Sequence, residues 1–261
     1  MNRIDLTFDT LKKQNKKALI TFITAGDPDL SLTEKLVLAM EEAGADLIEL
    51  GVPFSDPVAE GPTIQASSQR ALESGTKLSQ IFSLVARLRE RTQIPLPLMM
   101  YLNPVCKYGK EDFFAACKNS GIDGIIIPDL PFEEKDELEE TAEKYGIYII
   151  DLVAPTSGTR IPKIATGSRG FLYCISSLGV TGERTAFQTD FLSFFREIRQ
   201  HTKTPLALGF GISSPDQVRA LKEFSDGVIV GSAIVKIVEE HGKEAVPHVK
   251  QFVRELKQAL G

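Results

Sequence analysis

The sequence predicts an α/β fold, a closed (β/α)8 barrel of the TIM type with one extra helix at its N-terminus, occupying residues 1–261 as a single domain. Three observations predict it. Eight short apolar runs recur along the chain, several of them too short to alternate, such as Ile125-Ile126-Ile127, as strands covered on both faces are. Longer segments with helical spacing separate these runs. A joint also repeats: Gly44-Ala45-Asp46, Gly121-Ile122-Asp123 and Ser225-Asp226-Gly227 each lead into a strand, and in the first two a glycine can take the left-handed conformation that ends a helix. The rival, an open doubly wound sheet, would carry a glycine-rich turn after its first strand. Here that strand ends in Ala25-Gly26-Asp27-Pro28, which lacks the GxGxxG spacing.

In order, residues 4–14 read as a short amphipathic helix suited to cap a barrel floor. Strands follow over 18–23, 47–50, 96–100, 124–127, 147–152, 171–175, 206–208 and 228–230. Helical spacing falls over 31–43, 78–91, 111–119, 133–144, 191–201 and 215–222, and after the last strand over 232–240 and 245–260. No Pro/Ser-rich linker, charge block or low-complexity stretch divides the chain.

Composition excludes several classes. With 43% apolar and 25% charged residues and a net charge of −5, nothing favours nucleic acid or an anionic membrane, so a bound phosphate must be held by local backbone donors. Cys106, Cys117 and Cys174 follow no CxxC spacing and read as reduced thiols. The first nine residues carry Asp5 and Asp9 and no long apolar core, so they do not read as a signal peptide. No run approaches the ~20 apolar residues of a membrane span, and a cytoplasmic location is expected. His201, His241 and His248 fall on outer helices without spaced partners, which predicts no metal site.

In a barrel, chemistry sits where strands end and βα loops begin. Glu49 lies inside an apolar strand between Ile48 and Leu50. Facing the lumen, it would be desolvated, its pKa raised, and usable as an acid or base near neutrality. A barrel-core glutamate tied into a salt bridge or into hydrogen bonds fits the same spacing, and both readings stay open. The Pro- and Gly-rich segment that follows carries Asp56 and Glu60, as a binding loop or as a solvated turn. Late in the chain, Gly209-Phe210-Gly211-Ile212-Ser213-Ser214 and Gly231-Ser232-Ala233 follow the seventh and eighth strands, where barrels commonly hold phosphate. After the sixth strand, Ser176 to Arg184 frames Thr181 with Gly179 and Gly182, a stretch able to close over a ligand or simply a surface loop. Tyr173 within that strand is core filler or an aromatic contact, and core filler is the better reading of one residue alone.

Together these residues resemble the tryptophan synthase alpha family. The matching stretches are 22–28 (FITAGDP), 49–57 (ELGVPFSDP), 61–65 (GPTIQ), 99–103 (MMYLN), 179–182 (GVTG), 209–214 (GFGISS) and 231–236 (GSAIVK), in the family's order across nearly the whole chain. The resemblance implies a lyase that splits indole-3-glycerol phosphate into indole and glyceraldehyde 3-phosphate, without a metal or Schiff base. It places the catalytic acid–base on Glu49 and a second acid on Glu60. There the chain departs from the family, which mostly has Asp, so activity is expected to be reduced or partner-dependent. It further implies that Phe22, Tyr101, Tyr173, Phe210 and Met99 line the indole pocket. Gly182, Gly211, Gly231 and Ser232 cradle the phosphate, Thr181 closes on Glu49 or substrate, and Asp129 orders neighbouring loops. The family usually carries Arg at Ser177.

The resemblance also implies a beta subunit, in an alpha2beta2 heterotetramer, that uses pyridoxal phosphate. This chain itself is expected to need no cofactor. Pro53, Asp56 and the region around Asn103 would meet that partner. The alternative is a barrel acting chiefly as an allosteric activator of the beta subunit, its own lyase activity weakened.

Overall fold

A computed structural model of the chain describes residues 2–175, 184–209 and 211–261, with backbone only over 184–191. Nine strand segments run parallel: β1 (Ala18–Thr24), β2 (Leu47–Gly51), β3 (Leu98–Met99), β4 (Gly124–Ile126), β5 (Tyr148–Ile150), β6 (Leu152–Val153), β7 (Leu172–Ile175), β8 (Leu206–Gly209) and β9 (Gly227–Val230). They pair in the order β5-β4-β3-β2-β1-β9-β8-β7-β6. Only Asp151 separates β5, which pairs with β4, from β6, which pairs with β7. The two ends of the order are therefore one stave of eight, and the barrel closes through it.

Around the strands lie α1 (Arg3–Lys13), α2 (Leu30–Glu42), α3 (Pro62–Glu73), α4 (Leu78–Leu88), α5 (Leu102–Tyr108) and α6 (Lys110–Ser120). Then come α7 (Asp136–Tyr145), α8 (Ile161–Gly167), α9 (Arg184–His201), α10 (Pro215–Leu221), α11 (Ser232–His241) and α12 (Ala245–Leu260).

Strand residues alternate between two apolar clusters, because successive side chains face opposite sides of a sheet. Ile20, Leu47, Ile126, Ile150, Phe171, Tyr173, Ala207 and Ile229 share the inner one with Ile4, Phe8 and Leu11 of α1. Leu19, Ile48, Leu50, Ile149, Leu172 and Leu208 pack outward with the helix layer. The N-terminal helix is thus the barrel floor. Asn2 Nδ2 pins it there by donating to Asp123 O at 2.7 Å, and Asn2 Oδ1 caps Ile4 N at 2.9 Å.

The repeated joint has a common geometry. Asp46, Asp123 and Asp226 each accept a backbone amide at or near the start of the neighbouring strand: Leu19 N at 2.7 Å, Leu96 N at 2.8 Å and Leu206 N at 2.8 Å. Each carboxylate also meets a cation from the helix layer, Lys257, Arg89 and Arg199 in turn. Gly44 and Gly121 take positive φ of 106° and 87°, turning the chain from helix to strand.

Departures from the expected elements have local causes. The predicted strand 96–100 shrinks to two residues because Pro95 and Pro97 have no N–H to give the ladder; their carbonyls still accept from Ile48 N and Leu50 N at 3.1 and 2.9 Å. The strand 147–152 splits at Asp151, and the helix 133–144 opens as a 3-10 turn over Phe132–Glu134. Pattern reading missed α3, whose buried face is Ser67, Ser68 and Ala71 and so shows no apolar stripe. It also missed the short α5 and α8. Cys106 is exposed, Cys117 and Cys174 are buried, and all three are free. Among the described residues no helix is long and apolar enough to cross a membrane.

Candidate active site

Glu49 shares its strand face with Leu47, two residues back, and therefore projects into the lumen. It is completely buried, and neither carboxylate oxygen has a hydrogen-bond partner among the described residues. Loss of water alone pushes its pKa from 4.5 up to about 8. Among the described residues no salt bridge engages it. At neutral pH this carboxyl is mostly protonated, ready to donate and, once ionised, to recover a proton.

Two aromatic rings flank it. Phe22 of β1 stands directly across the ladder from Glu49. Tyr173 of β7 is 6% exposed, and burial, with a smaller contribution from the charge of Glu49, raises its phenol well above its usual value. Tyr173 thus packs in the inner core cluster, beside the carboxyl. Met99 of β3 packs at the edge of the same inner cluster.

These rings explain Gly51, which sequence reasoning did not assign, and give Gly209 a role besides the phosphate-type turn in which the sequence placed it. A Cβ on Gly51 would lie 2.5 Å from Phe22 Cζ, and one on Gly209 would lie 2.6 Å from Tyr173 Cε1. A Cβ on Gly231 would come within 3.2 Å of Phe22 Cβ, so this residue seats a ring as well as opening α11. The available signal was the position of Gly51, Gly209 and Gly231 at the C-terminal ends of their strands.

Tyr101 organises the loop after β2. Its hydroxyl accepts from Val58 N and Ala59 N, both at 2.8 Å, and donates to the Glu60 carboxylate. Burial and then the bond to Glu60 push the phenol up to about 12, so it stays a donor. Phe54 stacks on the same ring at 4.8 Å between centroids, another contact not foreseen from the sequence. Beyond Glu60 the chain enters α3 with Pro62 in its first turn. That helix is tied to the end of β1 by Thr24 Oγ1 and Ser67 Oγ at 2.6 Å, and to the loop after it by Arg70 on both Asp27 oxygens at 2.8 Å.

Asp129 is exposed, in the loop after β4, and its Oδ1 accepts from Leu102 N at 3.0 Å at the head of α5, beside Tyr101. Gly211 has φ of +76°, a turn conformation costly to other residues. Of the two glycine turns, the one after β9 offers the better anion seat. Gly231 caps the ten-residue α11, whose Ser232 and Ala233 amides lie in the first turn, where helices have no internal acceptors. After β8, by contrast, Ser213 N is taken by Gln217 Oε1 at 2.7 Å, and Ser214 Oγ caps Gln217 N. Thr181, Gly182 and Phe210, with Ser176 and Ser177, lie outside the described residues.

Fold and mouth together define a (β/α)8 barrel with a dry carboxyl beside aromatic rings at the C-terminal ends of its strands, the end where enzymes of this fold place their chemistry. The chain belongs to the tryptophan synthase alpha chain family, whose model matches residues 8–260. It is therefore a lyase of tryptophan biosynthesis, cleaving indole-3-glycerol phosphate to indole and glyceraldehyde 3-phosphate. A tryptophan synthase alpha chain of Caldanaerobacter subterraneus subsp. tengcongensis is 55% identical over the full length of both chains. The alpha chain structure from Legionella pneumophila superposes with a TM-score of 0.91 at 36% identity, covering 100% of this chain and 97% of that one. A structure of the tryptophan synthase α2β2 complex of Pyrococcus furiosus gives 0.85 at 42% identity, covering 92% and 98%.

Proposed function

We propose that Glu49 is the acid–base residue of the lyase, exchanging protons with the indole ring at C3 and with the glycerol hydroxyl that becomes the aldehyde. Indole leaves only after C3 gains a proton, so the site must supply one at neutral pH and take another. The single observation that carries this reading is the fully buried Glu49 carboxyl, without a hydrogen-bond partner among the described residues and raised to about 8 between Phe22 and Tyr173. Phe22, Met99, Tyr101, Tyr173 and Phe210 flank the indole, and Glu60 accepts from the indole N–H while Tyr101 steadies its longer arm. Gly182, Gly211, Gly231 and Ser232 receive the phosphate, Thr181 closes over the substrate, and Asp129 orders the neighbouring loops.

We further propose a cytoplasmic alpha subunit, one barrel domain over 1–261, in an alpha2beta2 assembly with the beta subunit holding pyridoxal phosphate. The α2β2 complex of the Pyrococcus furiosus relative, described as mutually activating, supports this partnership. Loop residues Pro53 and Asp56 and the start of α5 at Asn103 form its expected contact. A barrel serving chiefly as activator is not favoured, since membership of the family implies the lyase reaction. Indole release from indole-3-glycerol phosphate tests the assignment: Glu49→Gln should lose between about 10²- and 10⁴-fold in kcat. Turnover matching the wild type would remove Glu49 from the mechanism.

A further inference from the structure

Asp151 breaks the fifth stave of the barrel and touches two parts of the mouth at once. Its carbonyl accepts from Tyr173 N at 2.9 Å. Its side chain, facing outward by alternation with Ile150, accepts from Lys135 Nζ at 2.9 Å. Lys135 stands at the far end of the loop after β4, and Glu139 gives it a second acceptor at 2.9 Å. Around it Glu133, Glu134, Asp136 and Glu137 are exposed, whereas the Lys135 side chain is 4% exposed and that of Asp151 6%. Drawing a lysine inward from an acidic, solvated turn carries a desolvation cost that a surface pair avoids.

What the pair bridges explains its position. The β4–β5 ladder ends at Ile126 and Ile150, and β6 pairs with β7, so among the described pairings no ladder joins the second half of the stave to the chain leaving β4. A cavity of about 390 Å³ occupies that seam, walled by Asp129, Lys135 and Asp151, with Ile150, Leu152 and Ile175 on the lumen side. The Lys135–Asp151 bond crosses it. On one side it holds the loop bearing Asp129, which caps α5 next to Tyr101; on the other it holds the residue bonded to Tyr173.

We propose that Lys135 and Asp151 are a positioning pair for the lyase reaction, fixing the Asp129 loop relative to Tyr173 across the broken stave. The proposal rests on the lyase reading above. Neither residue touches the reacting atoms; both act through Asp129 and Tyr173.

The test compares Asp151→Asn with the paired Lys135→Met/Asp151→Leu in the full chain, by indole release and thermal unfolding on the same preparations. The paired change removes both charges and fills the space with apolar groups, which commonly preserves or raises stability. Positioning predicts that both variants lose between about tenfold and hundredfold in kcat, KM changing less, while the paired variant keeps the wild-type Tm. Asp129→Asn, damaging in the wild type, should then add little in the paired background, where the loop is already released. A paired variant with wild-type Tm and wild-type kcat overturns the proposal. So does an Asp129→Asn loss of equal size in both backgrounds. Should Asp151→Asn fail to fold, the paired variant decides alone. A wild-type chain that releases no indole, with or without beta subunit, fails the lyase reading instead and removes the basis for the pair's role.

Discussion

Replacing Glu49 by Gln isolates what the barrel does to a carboxyl kept away from water. The distance from 4.5 to about 8, at roughly 1.4 kcal/mol per pH unit, sets ionisation in the folded chain about 5 kcal/mol uphill of ionisation in the unfolded one. The group is fully buried, so solvent screening takes little from this figure. An unfolded carboxyl ionises above 4.5, the folded one above about 8. Protonation therefore favours the fold fully below pH 4.5, and that contribution is lost as pH rises through 8. By pH 7 about 3 kcal/mol of it is gone. Gln has the same shape and no such dependence. Urea unfolding at a series of pH values should show Glu49→Gln gaining on the wild type by about 3 kcal/mol between pH 4.5 and 7. A stability difference that stays flat over this range would refute the claim that Glu49 is held neutral by desolvation.

Other positions give independent checks. Gly209→Ala puts a methyl into the Tyr173 ring, so thermal or urea unfolding should show a loss of about 1–3 kcal/mol, with a fall in indole release as the ring shifts. Wild-type stability in both assays would mean the ring yields freely. At the second acid, Glu60→Gln should slow indole release and Glu60→Asp should retain or raise it; a Gln variant as fast as the wild type would show that Glu60 is not catalytic. Tyr101→Phe leaves Val58 N, Ala59 N and Glu60 without their shared hydroxyl, and limited proteolysis should cut the loop after β2 faster while kcat falls. Unchanged cleavage would deny Tyr101 its organising role.

The barrel was legible in the sequence because buried parallel strands leave continuous apolar runs, and because Asp46, Asp123 and Asp226 repeat the same strand-starting contact. What escaped pattern reading did so for physical reasons. The apolar stripe that marks a helix is missing from α3, which buries serines. Two prolines silence the donors of the third stave while leaving it in the barrel. Glu49 was visible as an acid in an apolar strand, but only the geometry separates an unpartnered carboxyl from a salt-bridged one. Gly51 and Gly209 look like ordinary turn residues until Phe22 and Tyr173 are found lying over them. Lys135 reads as one more charge in an acidic turn, because nothing in the local pattern reveals the buried Asp151 sixteen residues on.

The most direct measurement is a carbon-13 titration of the side-chain carboxyls in the intact chain, with the Glu49 resonance assigned by its loss in Glu49→Gln. A midpoint close to pH 8 is predicted for that carbon. A midpoint near 4.5, that of a solvated glutamate, would contradict the account.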